Sequence, residues 1–197
     1  MAKPGTNVLA HDLLKGAVAG AVGVWAMDRV DWFLYDRESH KTRDQTIANR
    51  PGGEDPAHVM AGTAAETLGV PLTGAKRDRV GTAVHYGLGI IPGALYGALS
   101  NRFEAIGAGR GLAYGLAMFL IEDELANTAL GTAGPPSGYP WQAHARGLVA
   151  HLVLGCVTDA AFRMQSNAVV ISPAPLRAAD PLPPSQTSSI AEKRAGN

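Results

Sequence analysis

Charge is scarce in this chain of 197 residues: 17% are Asp, Glu, Lys or Arg, with 17 basic side chains balancing 17 acidic ones. A net charge of zero with no basic block argues against nucleic acid as a partner, because phosphate binding needs a concentrated cationic face. Cysteine is nearly absent. Cys156 stands alone, so no intrachain disulfide can close and no Cys/His zinc spacing exists. Its place in an apolar helix face reads as inert packing. Aromatics are few as well, with three tryptophans, five tyrosines and four phenylalanines. The common catalytic signatures are missing: no G-x-S-x-G, no HExxH, no G-x-x-x-x-G-K-[ST] and no dinucleotide fingerprint. The glycine-rich GAGRG at 107–111 follows no strand, which makes it a poor phosphate cradle. The first residues also lack the cationic start and apolar stretch of a removed signal peptide.

What charge there is lies unevenly. The stretch 36–79 holds 14 charged residues in 44, whereas 80–101 holds none. Those 22 residues would rise about 33 Å as a helix, enough to cross a bilayer core. Residues 16–27, 111–121 and 147–158 are also uncharged, each running into an acidic or mixed segment. The pattern predicts four long helices near 12–35, 80–101, 106–130 and 142–165, with only the second a clean hydropathy span. A short extra helix is expected in the first connection, opened by Glu54-Asp55-Pro56 and stopped by Gly69 and Pro71. Residues 165–197, rich in Pro and Ser, read as a disordered tail behind a membrane domain of 1–164.

Glycine is abundant, at 24 residues, and its spacing is informative. His85, Gly89, Gly93 and Gly97 recur every four residues, as do Gly107, Gly111 and Gly115, and Gly147, His151, Gly155 and Asp159. Gly16 pairs with Gly20, and Ala19 with Gly23. An interior glycine costs a soluble helix about 1 kcal/mol relative to alanine, whereas membrane helices use small residues for close backbone approach. The expected fold is therefore all-α: a four-helix transmembrane bundle, its partner the lipid bilayer. The glycine faces could equally serve a second copy or another membrane protein. Pro92 is expected to kink the second helix beside its glycine row.

Antiparallel packing of four helices would gather Asp28, Asp31, Glu122, Asp123, Glu124, His85, His144 and His151 at one end, facing only Arg29 and Arg146. So many unpaired carboxylates would have to be protonated, solvated or ligated. The plainest reading makes them caps just outside the hydrocarbon. A proton or ion pathway would use His85, Glu122, Glu124 and His151 as titratable groups at graded depth. A divalent metal would draw on His85, Glu122, His151 and Asp28 or Asp31, although the paired Glu-x-x-His signature of di-iron bundles is missing.

Several short segments carry a resemblance: His85-Tyr86 and Gly93 to Tyr96 in the second helix, Gly134-Pro135-Pro136, Tyr139-Pro140-Trp141, and Val149-Ala150-His151-Leu152-Val153. In these the chain resembles the YagU-type family of small four-helix bacterial inner-membrane proteins, over residues 14–165. The acidic triplet 122–124 and the Ala/Gly-rich, aromatic-poor helices depart from that family's pattern. The resemblance implies a multi-pass protein of the bacterial inner membrane and brings no reaction or catalytic residue with it. Seven Lys/Arg in 36–79 against eight on the other face leave orientation balanced. The resemblance favours cytoplasmic termini. The expected function is that of a non-enzymatic membrane accessory or stress-related protein handling protons or ions. The alternatives are a membrane-embedded metal-dependent enzyme and a structural subunit of a larger complex.

Overall fold

The computed structural model describes residues 4–170, with side chains described over 8–167. The fold is all-helical, with no strand among the described residues. The helices are α1 (Pro4–Tyr35), α2 (His40–Ala48), α3 (Pro56–Thr67), α4 (Gly74–Ser100), α5 (112–129) and α6 (Trp141–Val170). Short 3-10 turns at Pro51–Gly53, Glu104–Gly107 and Pro136–Gly138 join them.

Local chemistry accounts for most of these boundaries. Asp55 caps α3, its carboxylate accepting from the backbone N–H groups of Ala57 and His58 ahead of Pro56. Ser39 caps α2 in the same way through the Thr42 N–H. This helix, inside the polar connection, was not expected from the charge pattern. The third long helix begins at 112 and not near 106, because Gly109, Arg110 and Gly111 all take left-handed backbone angles. A run of that kind cannot continue a right-handed helix. Helix α6 reaches Val170, so 165–170 of the expected disordered tail are helical. The remainder of that tail, 171–197, lies outside the described residues.

Helix α1 packs against both α4 and α6, α5 lies on α6, and α3 on α4. The glycine rows sit at these seams. A Cβ on Gly93 would lie 2.7 Å from Gly20 Cα and 2.8 Å from the Gly16 carbonyl oxygen. One on Gly16 would lie 2.9 Å from Gly97 Cα, and one on Gly155 would lie 2.8 Å from Gly115 Cα. The contacts step antiparallel along each pair of helices, from Gly97 beside Asp12 to Gly89 beside Val24. Pro92 lies within α4, which runs as one element from Gly74 to Ser100.

Tyr96 and Phe162 close over Ala19 in one buried cluster, and Val24, Met118 and Leu154 form a second, with Tyr114 touching both. Outside these clusters many large apolar side chains face outward and a few polar and charged ones are buried. Trp25, Trp32, Ile91, Leu95, Leu116, Ile121, Leu125 and Met164 are exposed, while Asp12, Arg146, His151, Thr158 and Asp159 are buried. Apolar faces of this extent are rare on soluble monomers. Two helices, Val8–Tyr35 and Trp141–Asn167, are long and apolar enough to cross a membrane. They are not the one whose charge-free run stood out. Helix α4 falls short in mean hydropathy because His85, Pro92, two tyrosines and five glycines dilute residues 80–101.

Candidate functional site

Five of the six helices contribute to one polar end, and most of the acidic side chains there have a basic partner. Asp28 of α1 meets His85 of α4, with Nε2 2.8 Å from Oδ1. Asp31, one turn on, accepts from Arg146 Nε at 2.9 Å, and Nη1 of the same guanidinium donates to Glu38 Oε1 at 2.8 Å. Arg146 is buried, and its guanidinium lies 4.9 Å from the centre of the Tyr35 ring. Asp123 lies 3.5 Å from His151 Nδ1, which donates to the Gly147 carbonyl at 2.9 Å. Glu124 meets His144 Nδ1 at 2.6 Å. Arg29 stands apart, exposed and 5.4 Å from the centre of the Trp25 ring.

The expected surplus of unpaired carboxylates is therefore corrected. Each of Asp28, Asp31, Asp123 and Glu124 has a cationic or imidazole partner on another helix, and Glu122 alone makes no hydrogen bond or ion pair among the described residues. The proposed metal donors are divided among these pairs. His85 goes to Asp28, His151 faces Asp123, and Asp31 goes to Arg146. Among the described residues no three His, Cys, Asp or Glu side chains are grouped to hold a metal ion.

The acidic triplet sits on an unusual piece of backbone. Phe119–Ala126 is a π-helical stretch between the α-helical Leu112–Met118 and Asn127–Ala129. Such i→i+5 turns are rare and occur often at functional sites. Gly147 gives Asp123 its place, since a Cβ there would lie 2.9 Å from Asp123 Oδ2.

Two connections fold over this end and lock together. Asn49, just past α2, donates through Nδ2 to the Pro135 carbonyl at 3.1 Å, and its own carbonyl accepts from Gly134 N–H at 3.1 Å. Gln45 Nε2 donates to the Gly138 carbonyl at 3.1 Å. The same loop reaches the cluster through Pro136, whose carbonyl oxygen lies 3.0 Å from His144 Nε2. A carbonyl only accepts, so Nε2 carries a proton. The short contact of Nδ1 with Glu124 then holds one further proton between nitrogen and carboxylate. Both ring nitrogens of His144 are thus fixed by partners, Nε2 by a backbone carbonyl and Nδ1 by the Glu124 carboxylate.

Glu38, Gln45 and Asn49 were missed from sequence. The signal available was Ser39 before Thr42, a helix-start pattern inside a segment read only as polar connection. At the opposite end Asp159, also buried, accepts from the Tyr96 hydroxyl and from Arg163 Nε at 2.8 and 2.9 Å.

Fold and site together define an all-helical protein with apolar outward faces, two helices able to cross a membrane, and paired imidazole–carboxylate side chains at one end. The chain matches no family model, no curated protein and no solved structure.

Proposed function

We propose that the chain is a four-span protein of the bacterial inner membrane, with α1, α4, α5 and α6 as spans and cytoplasmic termini. It acts there as a non-catalytic accessory protein that takes up and releases protons at its polar end. The membrane placement is supported by the burial pattern: apolar side chains outward, charged pairs inward and glycine at the helix seams. The resemblance to YagU-type proteins agrees with the span count and the location.

The observation that carries the proton reading is the convergence of three imidazole–carboxylate pairs, Asp28–His85, Asp123–His151 and Glu124–His144, beside the unbonded Glu122. Imidazole is the side chain that changes charge near neutral pH, so such pairs exchange protons under conditions where isolated carboxylates stay ionised. Interacting groups titrate together, and a change at one pair shifts its neighbours. A static cap of lysine or arginine on carboxylate could not respond in this range.

Reconstituted vesicles holding a pH-sensitive dye test the reading. Proton flux driven by a potassium gradient with valinomycin is expected for the full chain. Glu122→Ala, His85→Ala and His151→Ala are each expected to reduce it without unfolding the helices. Three silent substitutions, with thermal stability also unchanged, would reduce the cluster to helix caps.

A further inference from the structure

The left-handed run 109–111 is pinned to α6. A Cβ on Gly111 would lie 2.6 Å from the Gly155 carbonyl carbon and 2.9 Å from Asp159 Cβ, so only glycine fits there. Gly109 and Gly111 carry their positive φ values without strain, but Arg110, at φ 57°, does not. A non-glycine residue held in this region signals a constraint beyond the turn itself. The outcome is positional: Arg110 lines an open cleft of about 540 Å³ together with Cys156, Asp159, Ala160 and Arg163.

The charges in that cleft do not cancel. Asp159 is engaged by the Tyr96 hydroxyl and by Arg163 Nε, which leaves the Nη groups of Arg163 for other acceptors. One of them faces the loop, 3.3 Å from where a Cβ on Gly107 would stand. Arg163 is 61% exposed in its side chain, and Arg110 makes no ion pair among the described residues. Two guanidinium groups therefore meet one carboxylate, leaving a net positive mouth at the end of the helices opposite the imidazole cluster.

Beside the mouth one face of α6 is lined by apolar side chains and Cys156. A shallow groove of about 310 Å³ follows α6 past Val149, Leu152, Val153, Cys156 and Val157. Cys156 lines both features, so the two adjoin at that side chain. A flat apolar channel ending in guanidinium groups has the form of an acyl chain joined to a phosphodiester headgroup.

We infer that this cleft and groove on α6 bind an anionic phospholipid, its phosphate held between Arg110 and Arg163 and one acyl chain laid along Val149 to Val157. The inference rests on the membrane placement proposed above. A free phosphate would fill the mouth and leave the groove bare. A zwitterionic lipid would fill the groove but bring no net charge to the mouth.

The full chain in mild detergent, mixed with equal amounts of dioleoyl phosphatidylglycerol and dioleoyl phosphatidylcholine and examined by native mass spectrometry, tests this. The wild type is expected to retain phosphatidylglycerol over phosphatidylcholine by roughly fivefold or more, the effect of about one unbalanced surface arginine. Arg110→Asn, which tolerates the left-handed backbone, is expected to reduce that preference by about fivefold. Cys156→Trp fills the groove and is expected to lower retention of both lipids. Arg79→Gln, on the other side of the molecule, should change neither. Arg163→Gln is expected to reduce the preference likewise, and should it unfold the protein by leaving Asp159 short of a partner, Arg110→Asn still decides. Equal retention of the two lipids by the wild type, an unchanged preference in Arg110→Asn, or displacement of the lipid by inorganic phosphate alone overturns the inference. Alkaline carbonate fractionation of the same material separates the two failures. A protein that stays in the membrane without lipid preference refutes only the lipid site, and a protein released by the wash removes both readings.

Discussion

Replacing Gly93 by alanine puts a methyl group where there is backbone. The new carbon would stand 2.7 Å from Gly20 Cα and 2.8 Å from the Gly16 carbonyl oxygen, well inside van der Waals contact. No rotamer change relieves this, since neither neighbour is a side chain, so α1 and α4 must separate along the seam. Overpacking of this kind costs about 1–3 kcal/mol, and contact with backbone on two sides places Gly93 at the upper end. Alanine returns about 1 kcal/mol through helix propensity. The net loss expected is about 2 kcal/mol. Gly87, in the same helix, is the control: a Cβ there meets nothing within 4 Å. Gly87→Ala should be neutral or stabilising by up to about 1 kcal/mol. Equilibrium unfolding in mixed micelles, followed by far-ultraviolet circular dichroism, measures both. A Gly93→Ala protein as stable as Gly87→Ala would refute the glycine seam.

Further outcomes follow from the pairs and from the α3 cap. Arg146→Met removes the partner of Asp31 and of the buried Glu38, and should cost about 3 kcal/mol in the same unfolding assay, because two acids lose one shared cation. Tyr96→Phe should cost about 1 kcal/mol, since Asp159 keeps Arg163 when the hydroxyl is lost. At α3, burial raises the Asp55 carboxyl, but the close His58 side chain, the His58 N–H and the nearby positive charges outweigh it and leave the carboxyl below its ordinary value. Its stabilisation is thus complete above the ordinary carboxylate range and is lost as pH falls through the lower folded value. Amide protection at Ala57 and His58, taken relative to the intrinsic exchange rate at each pH, should hold steady down to about pH 4 and fall below it. Asp55→Ala should lower it at neutral pH by removing a cap worth about 1 kcal/mol.

The helices and their seams were largely readable because both rest on local repeats. Charge-free runs marked four of the helices, but α1 and α4 begin well ahead of the uncharged stretches, at Pro4 and Gly74, and Gly109, Arg110 and Gly111 delay α5. The four-residue glycine rows named the contact faces before any contact was seen, since close backbone approach leaves few alternatives to glycine. The gathering of Asp28, His85, Asp123, His151, Glu124 and His144 at one end followed from antiparallel order alone. Which acid meets which base did not. That depends on helix rotation, on the π turn at Phe119–Ala126 and on Glu38, which reaches Arg146 from beyond the end of α1. Asn49 was invisible for a related reason: its partners are the backbone of a loop some 86 residues away in sequence. Hydropathy misjudged α4 in the opposite sense, because a run without charge is not a run of high apolarity when glycine fills it.

Alkaline carbonate extraction of membranes from cells expressing the full chain tests the central claim most directly. The exposed Trp25, Trp32, Ile91, Leu95, Ile121 and Leu125 are the side chains that the proposed placement puts against hydrocarbon. The account predicts that the chain stays in the membrane pellet at high pH, where peripheral proteins are stripped away. Release into the supernatant as a monodisperse monomer would contradict it.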